Sequence, residues 1–160
     1  MAVNRDVQAT PTAQQAEERR LGIVGRASLG AAVMLVVQYG LGIGLNLYIE
    51  VPTGGSAGST VGRAFSNGPL LAAHAVLGVL LVLTAVSLVV RAVLARHRVI
   101  IVLASLGLLA ILAAAGNGVS FLQSGADGAS LAMAIATGVA LLCYIGILFA
   151  AGFRARPGSG

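Results

Sequence analysis

The sequence predicts an all-α polytopic membrane protein: four transmembrane helices in an up-down-up-down bundle, both termini cytoplasmic. Three observations carry this. Of the 160 residues, 58% are hydrophobic and 9% charged, against about 25% charged in a soluble domain. The apolar residues gather in four long runs. The arginines divide unequally between the two sides that four such spans define.

Residues 1–20, MAVNRDVQATPTAQQAEERR, are polar and lack apolar periodicity. They read as a mobile tail with helix-forming character from Ala13 to Arg20, inside a polar N-terminal segment 1–26. The transmembrane domain is expected over 27–153, with spans at about 27–48, 69–90, 99–122 and 129–153, and a short tail over 154–160. Each span has about the 20 residues that cross a hydrocarbon core of about 30 Å. The first is longer than the roughly 7–15-residue core of a signal peptide and no small-residue cleavage site follows it directly, so it is read as retained. Arg19-Arg20 then serves as a topology anchor rather than a twin-arginine signal.

The loops fit the same plan. EVPTGGSAGSTVGRAFSNG is rich in Gly, Ser and Thr and closes on Ser66-Asn67-Gly68-Pro69. Ser66 or Asn67 can cap the second helix, and Pro suits its first turn. The other two connections, RAVLARHR and QSGADG, are short, which makes consecutive helices antiparallel neighbours. Arg5, Arg19, Arg20, Arg26, Arg91, Arg96, Arg98, Arg154 and Arg156 fall on one side and Arg63 alone on the other. By the positive-inside rule the richer side is cytoplasmic. All ten basic residues are arginine, a usage that, with the abundant Ala, Gly and Val, suggests a GC-rich bacterial genome and hence the bacterial plasma membrane.

Composition also excludes functions. The net charge of +5 is spread along loop ends, with no basic helix interleaved with aromatics, so a nucleic-acid partner is rejected. There is no P-loop, no intramembrane carboxylate pair, no Ser/His/Asp set and no His/Cys metal cluster. No span is broken by an internal Pro and none carries a charge that could couple to an ion, which argues against transport by this chain alone. Cys143 sits in an apolar run and reads as a small buried hydrophobe.

Polar residues inside the spans are therefore the informative ones. His74, in GPLLAAHAVLGVLLVLTAV, lies about 8 Å from the outer end of the second span at 1.5 Å per residue. Asn117 sits at similar depth on the third span and Asn46 somewhat shallower on the first, with Gln38 close to mid-membrane. Tyr48, Glu50, Ser120 and Gln123 mark the outer rim, and Thr84, Ser87, Cys143 and Tyr144 the inner half. A site is expected to open toward the outer side.

Three readings of His74 stand open. It is a neutral imidazole hydrogen-bonded across helices to Asn117, Asn46 or a backbone carbonyl, a haem or metal ligand, or a proton-relay or quinone contact. His97 lies 23 residues away, about 35 Å along a helix, so the two histidines do not share one iron. Met133, at a depth like that of His74, makes a His/Met pair chemically possible, with core packing as its ordinary role. Gly40-x-x-x-Gly44 allows close backbone approach, within the bundle or in a homodimer or larger membrane complex. In AAAGNGVS, small residues around Asn117 make room for a ring or for tight helix contact.

A faint repeat also appears. A shift of 60 residues lays Leu71–Leu81 on Leu131–Leu141 with five of eleven positions identical, placing Ala134 where His74 stands.

VVQYGLGIGLNLYIE, leading through a loop to LLAAHAVLGVLLVLTAVSLVVRA, resembles the first helical hairpin of small four-helix membrane proteins of actinobacteria. The His74-x-x-x-Gly78 pattern is similar to haem-ligand helices in b-type haem membrane proteins, haem A synthases among them. In that comparison His74 takes the position of an outer-leaflet ligand to haem b; the candidate cofactor-binding residues are His74 and, singled out by depth and donor chemistry, Met133, Asn117 and Asn46. Such relatives usually carry a second histidine on the fourth helix, where this chain has Leu131-Ala-Met-Ala-Ile. The expectation is a non-catalytic membrane component or accessory subunit, with a small b-type haem or quinone redox module as the alternative.

Overall fold

The computed structural model describes residues 12–48, 62 and 68–152. It holds four α-helices, α1 (Ala13–Tyr48), α2 (Pro69–Leu94), α3 (Arg98–Ser124) and α4 (Asp127–Gly152). All four are long and apolar enough to cross a membrane. At about 1.5 Å per residue, the 26 residues of α2 span about 39 Å and the 36 of α1 about 54 Å.

The helix ends follow local chemistry. Pro69 occupies the first turn of α2, where its missing N–H loses no bond. The cap itself is Gly68, at φ 121°, with no side-chain cap bond; Ser66 and Asn67 lie outside the described residues. Ala95 N–H still bonds Arg91 C=O, then Arg96 turns left-handed at φ 54° and the extended His97 starts α3. α3 stops at Gly125, also left-handed at φ 66°, whose N–H bonds Phe121 C=O, the single 5→1 bond of a glycine-terminated helix. Asp127 then places a carboxylate in the first turn of α4, where the helix dipole favours it.

The helix ends lie within a few residues of the expected span limits, and α1 begins at Ala13, where the sequence has helix-forming character, and runs unbroken into the span expected from 27. Ala13–Arg20 carries little apolar signal but is built of good helix formers, Ala, Gln, Glu and Arg, and Leu21 and Val24 then join the core. The N-terminal segment is thus partly the first turns of α1.

Each helix packs on two others, α1 on α2 and α4, and α3 on α2 and α4. No Cα pair across either diagonal comes within 8 Å. Neighbours run antiparallel. Gly107 faces Tyr144, and eleven residues on, Gly118 faces Met133, eleven residues back along α4. On the other hairpin, Gly42 faces His74 while Gln38 reaches Gly78. Within the described residues the connectivity is up-down-up-down.

The packed core occupies the end holding the described arginines, here the arginine end. Leu35, Leu81, Ala85, Leu88, Ile100, Ala104, Tyr144 and Ile147 are its main members. Alanines fully buried on α2, α3 and α4 bring the backbones close, which suits bundles held by van der Waals contact and small residues. At the opposite end only Leu45 and Leu71 are fully enclosed among the described apolar residues, flanked by Leu70, Ala75 and Leu122. Between the two clusters the bundle is hollow.

Candidate binding cavity

The hollow is a cavity of about 670 Å³ walled by all four helices, within the roughly 300–1,000 Å³ typical of small-molecule sites. α1 supplies Leu35, Gln38, Gly42 and Asn46, and α2 supplies His74, Ala75 and Gly78. α3 supplies Ala114, Ala115 and Gly118, and α4 supplies Ser130, Met133, Ala134 and Thr137. These recur three or four residues apart, so each helix turns one stripe inward. Alanine and glycine on all four stripes leave the space; longer side chains there would close it.

Two hairpins frame the cavity. Between α1 and α2, the Gln38 side-chain amide donates to the His74 backbone carbonyl at 3.0 Å. The same nitrogen lies 3.3 Å from where a Cβ on Gly78 would stand, and the His74 ring carbon Cε1 lies 3.5 Å from the Cβ position of Gly42. The two glycines thus admit the amide and the imidazole into the α1–α2 seam. Such an interhelical bond contributes about 0.6 kcal/mol on average in membrane proteins. Between α3 and α4, Met133 Sδ lies 3.4 Å from the Cβ position of Gly118. Its helix-mate Thr137 donates back to Met133 C=O at 2.8 Å.

The polar accounting at the wall is incomplete. His74 Nδ1 and Gln38 Oε1 are buried and have no hydrogen-bond partner. Of the three readings of His74, the cross-helix side-chain bond to Asn117 or Asn46 is not formed; the bond that crosses uses its backbone carbonyl. At the arginine end Ser28 Oγ, Tyr144 OH and His97 Nδ1 are likewise buried without partners.

Three of the four expected site residues, His74, Met133 and Asn46, line the cavity. His74 and Met133 do so from diagonally opposed helices, and Asn46 is exposed. Asn117 is not on the wall: its amide donates to Ala113 C=O one turn back on α3, at 2.8 Å. Its neighbours Ala114, Ala115 and Gly118 make the room instead. Ala134, which the repeat aligns with His74, also lines the cavity. Among the described residues, a Cβ at Gly40 or Gly44 would meet nothing within 4 Å, so the pair does not pack against the other described helices.

Gln38 was visible in the sequence as a mid-span polar residue but carried no role. Its spacing from Gly42 and Asn46, four and eight residues, places all three on one helix face and was the available signal. That this face meets His74 follows only from the packing of α1 on α2.

Among the described residues no cluster of three or more His, Cys, Asp or Glu could hold a metal ion. A haem needs only an axial pair, and one imidazole with one thioether on opposed walls is a donor set that fits iron. The rest of the site fits a haem less well. Among the described residues the charged side chain on the wall is Asp127, the wrong sign for propionates, while the described arginines stand at the other end. No family model matches this chain, and neither a curated protein nor a solved structure is similar to it.

Proposed function

We propose that this chain is a multi-pass protein of the bacterial plasma membrane, with both termini cytoplasmic. In this reading it acts as a non-catalytic component or accessory subunit whose outer-half cavity receives a small lipophilic molecule. The membrane placement is supported by four helices of spanning length and apolarity and by the nine-to-one division of arginines. The observation that carries the binding role is the cavity of about 670 Å³ between the four helices, with His74 and Gln38 in its wall.

A second reading is a small b-type haem or quinone redox module. It is favoured by the placing of His74 and Met133 on the wall of one cavity, on diagonally opposed helices, and by the similarity of His74-x-x-x-Gly78 to haem-ligand helices. There the His74 imidazole and Met133 Sδ would hold the iron, and the haem would supply one-electron transfer. Gln38, bonded to the His74 carbonyl, would steady the ligand turn.

A reduced-minus-oxidised visible spectrum of protein purified from haem-replete cells separates the two readings. The first predicts no haem band in the wild type or in His74→Ala. An α-band of b-type haem that vanishes in His74→Ala and shifts in Met133→Leu would overturn it in favour of the second.

A further inference from the structure

Resting on the reading of the bundle as membrane-embedded, we propose that the occupant is uncharged, with a hydrogen-bonding hydroxyl or carbonyl head and an apolar tail. The head lies beside His74 and Gln38, and the tail leaves between α1 and α4.

Four observations support this. The wall is apolar over most of its area, so the occupant is chiefly apolar. Among the described residues the charged side chain at the cavity, Asp127, is exposed on the first turn of α4, so nothing deep in the site balances a charged head. Deep in the wall, His74 Nδ1 and Gln38 Oε1 lack partners, and in hydrocarbon such groups are costly unless satisfied. Both atoms are closed off as the side chains stand, so His74 and Gln38 turn from the α1–α2 seam toward the cavity they line, where a hydroxyl, which both donates and accepts, satisfies them.

The fourth observation is the open seam. Gly25 of α1 faces Ala151 of α4 at van der Waals distance, 3.8 Å from its Cβ position. Ile43 lies 18 residues further along, about five turns at 3.6 residues per turn, and so faces the same way. At that height the helices no longer enclose their side chains. Tyr39, Ile43 and Leu131 line the cavity and yet are 47%, 45% and 63% exposed. A molecule dissolved in the bilayer can enter by that gap and leave its tail there.

The test compares two probes with the same chain, 1-tetradecanol and tetradecane, equilibrated with the full-length protein in detergent and quantified after gel filtration. Ala134→Trp, which fills the cavity, gives the background from the detergent belt. The chain has two histidines, so ¹⁵N-histidine labelling with a His97→Gln reference reads His74 alone. The expected result is retention of tetradecanol about tenfold above tetradecane, the worth of one buried hydrogen bond. The His74 imidazole signal should move with the alcohol, and Gln38→Leu should bring the alcohol down to the alkane. Equal retention of both probes, above background, overturns this assignment and leaves the membrane cavity standing. Retention of neither above Ala134→Trp overturns the assignment and the binding role together.

Discussion

Glycines that meet a side chain are the residues on which this bundle depends most. A Cβ on Gly107 would stand 3.0 Å from Tyr144 Cζ and 3.2 Å from its hydroxyl. Tyr144 is fully buried, so the ring has nowhere to retreat. Overpacking of this kind costs about 1–3 kcal/mol, against about 1 kcal/mol gained in helix propensity on replacing glycine. Gly107→Ala should therefore lose about 1 kcal/mol net, read as a lower midpoint of thermal unfolding in detergent. Gly116→Ala, with nothing within 4 Å of its Cβ position, should hold or gain stability. The two glycines lie on the same helix, nine residues apart, and nothing in their flanking sequence distinguishes them. Side-chain partners across a seam depend on how helices rotate against each other, which is why the Gln38–His74 bond and the outward Gly40/Gly44 pair could not be read in advance.

At the scale of elements, the turns between helices carry the next prediction. Arg96 and Gly125 occupy the same left-handed region, at φ 54° and 66°, but only one of them is glycine. A side chain there costs about 1–2 kcal/mol. Arg96→Gly should raise the unfolding midpoint by roughly 1 kcal/mol equivalent, and Gly125→Ala should lower it by a similar amount, with the helix content of both unchanged by circular dichroism. A change of the same sign in the two turns would show that backbone strain is not what shapes them. Helix positions were largely legible because hydropathy over some 20 residues is a strong local signal. The start of α1 at Ala13 was legible as helix-forming character, but its continuity with the span was not, because propensity without an apolar pattern does not show which helix a segment belongs to.

For the whole molecule, packing is unequal along the bundle axis: a dense core toward the arginine end, and toward the other a hollow between two glycine-zipped hairpins. Composition gave notice of four helices long and apolar enough to span a membrane, and three of the four expected site residues reach the cavity wall. The cavity itself depends on how the four inward stripes, with their alanines and glycines, meet across the bundle, which no single-helix pattern encodes. The account rests on this bundle lying in the plasma membrane with the hollow end outward. Cysteine accessibility in intact cells tests that directly, since Cys143 is the chain's single cysteine and Cys143→Ala provides a clean background. One cysteine is placed at Ala126, in the turn between α3 and α4, and in a separate variant at Arg96, between α2 and α3. A membrane-impermeant thiol reagent should label Ala126→Cys in intact cells and Arg96→Cys only after lysis. Labelling of Arg96→Cys but not Ala126→Cys in intact cells would invert the orientation, and labelling of both or of neither would contradict the four-span arrangement.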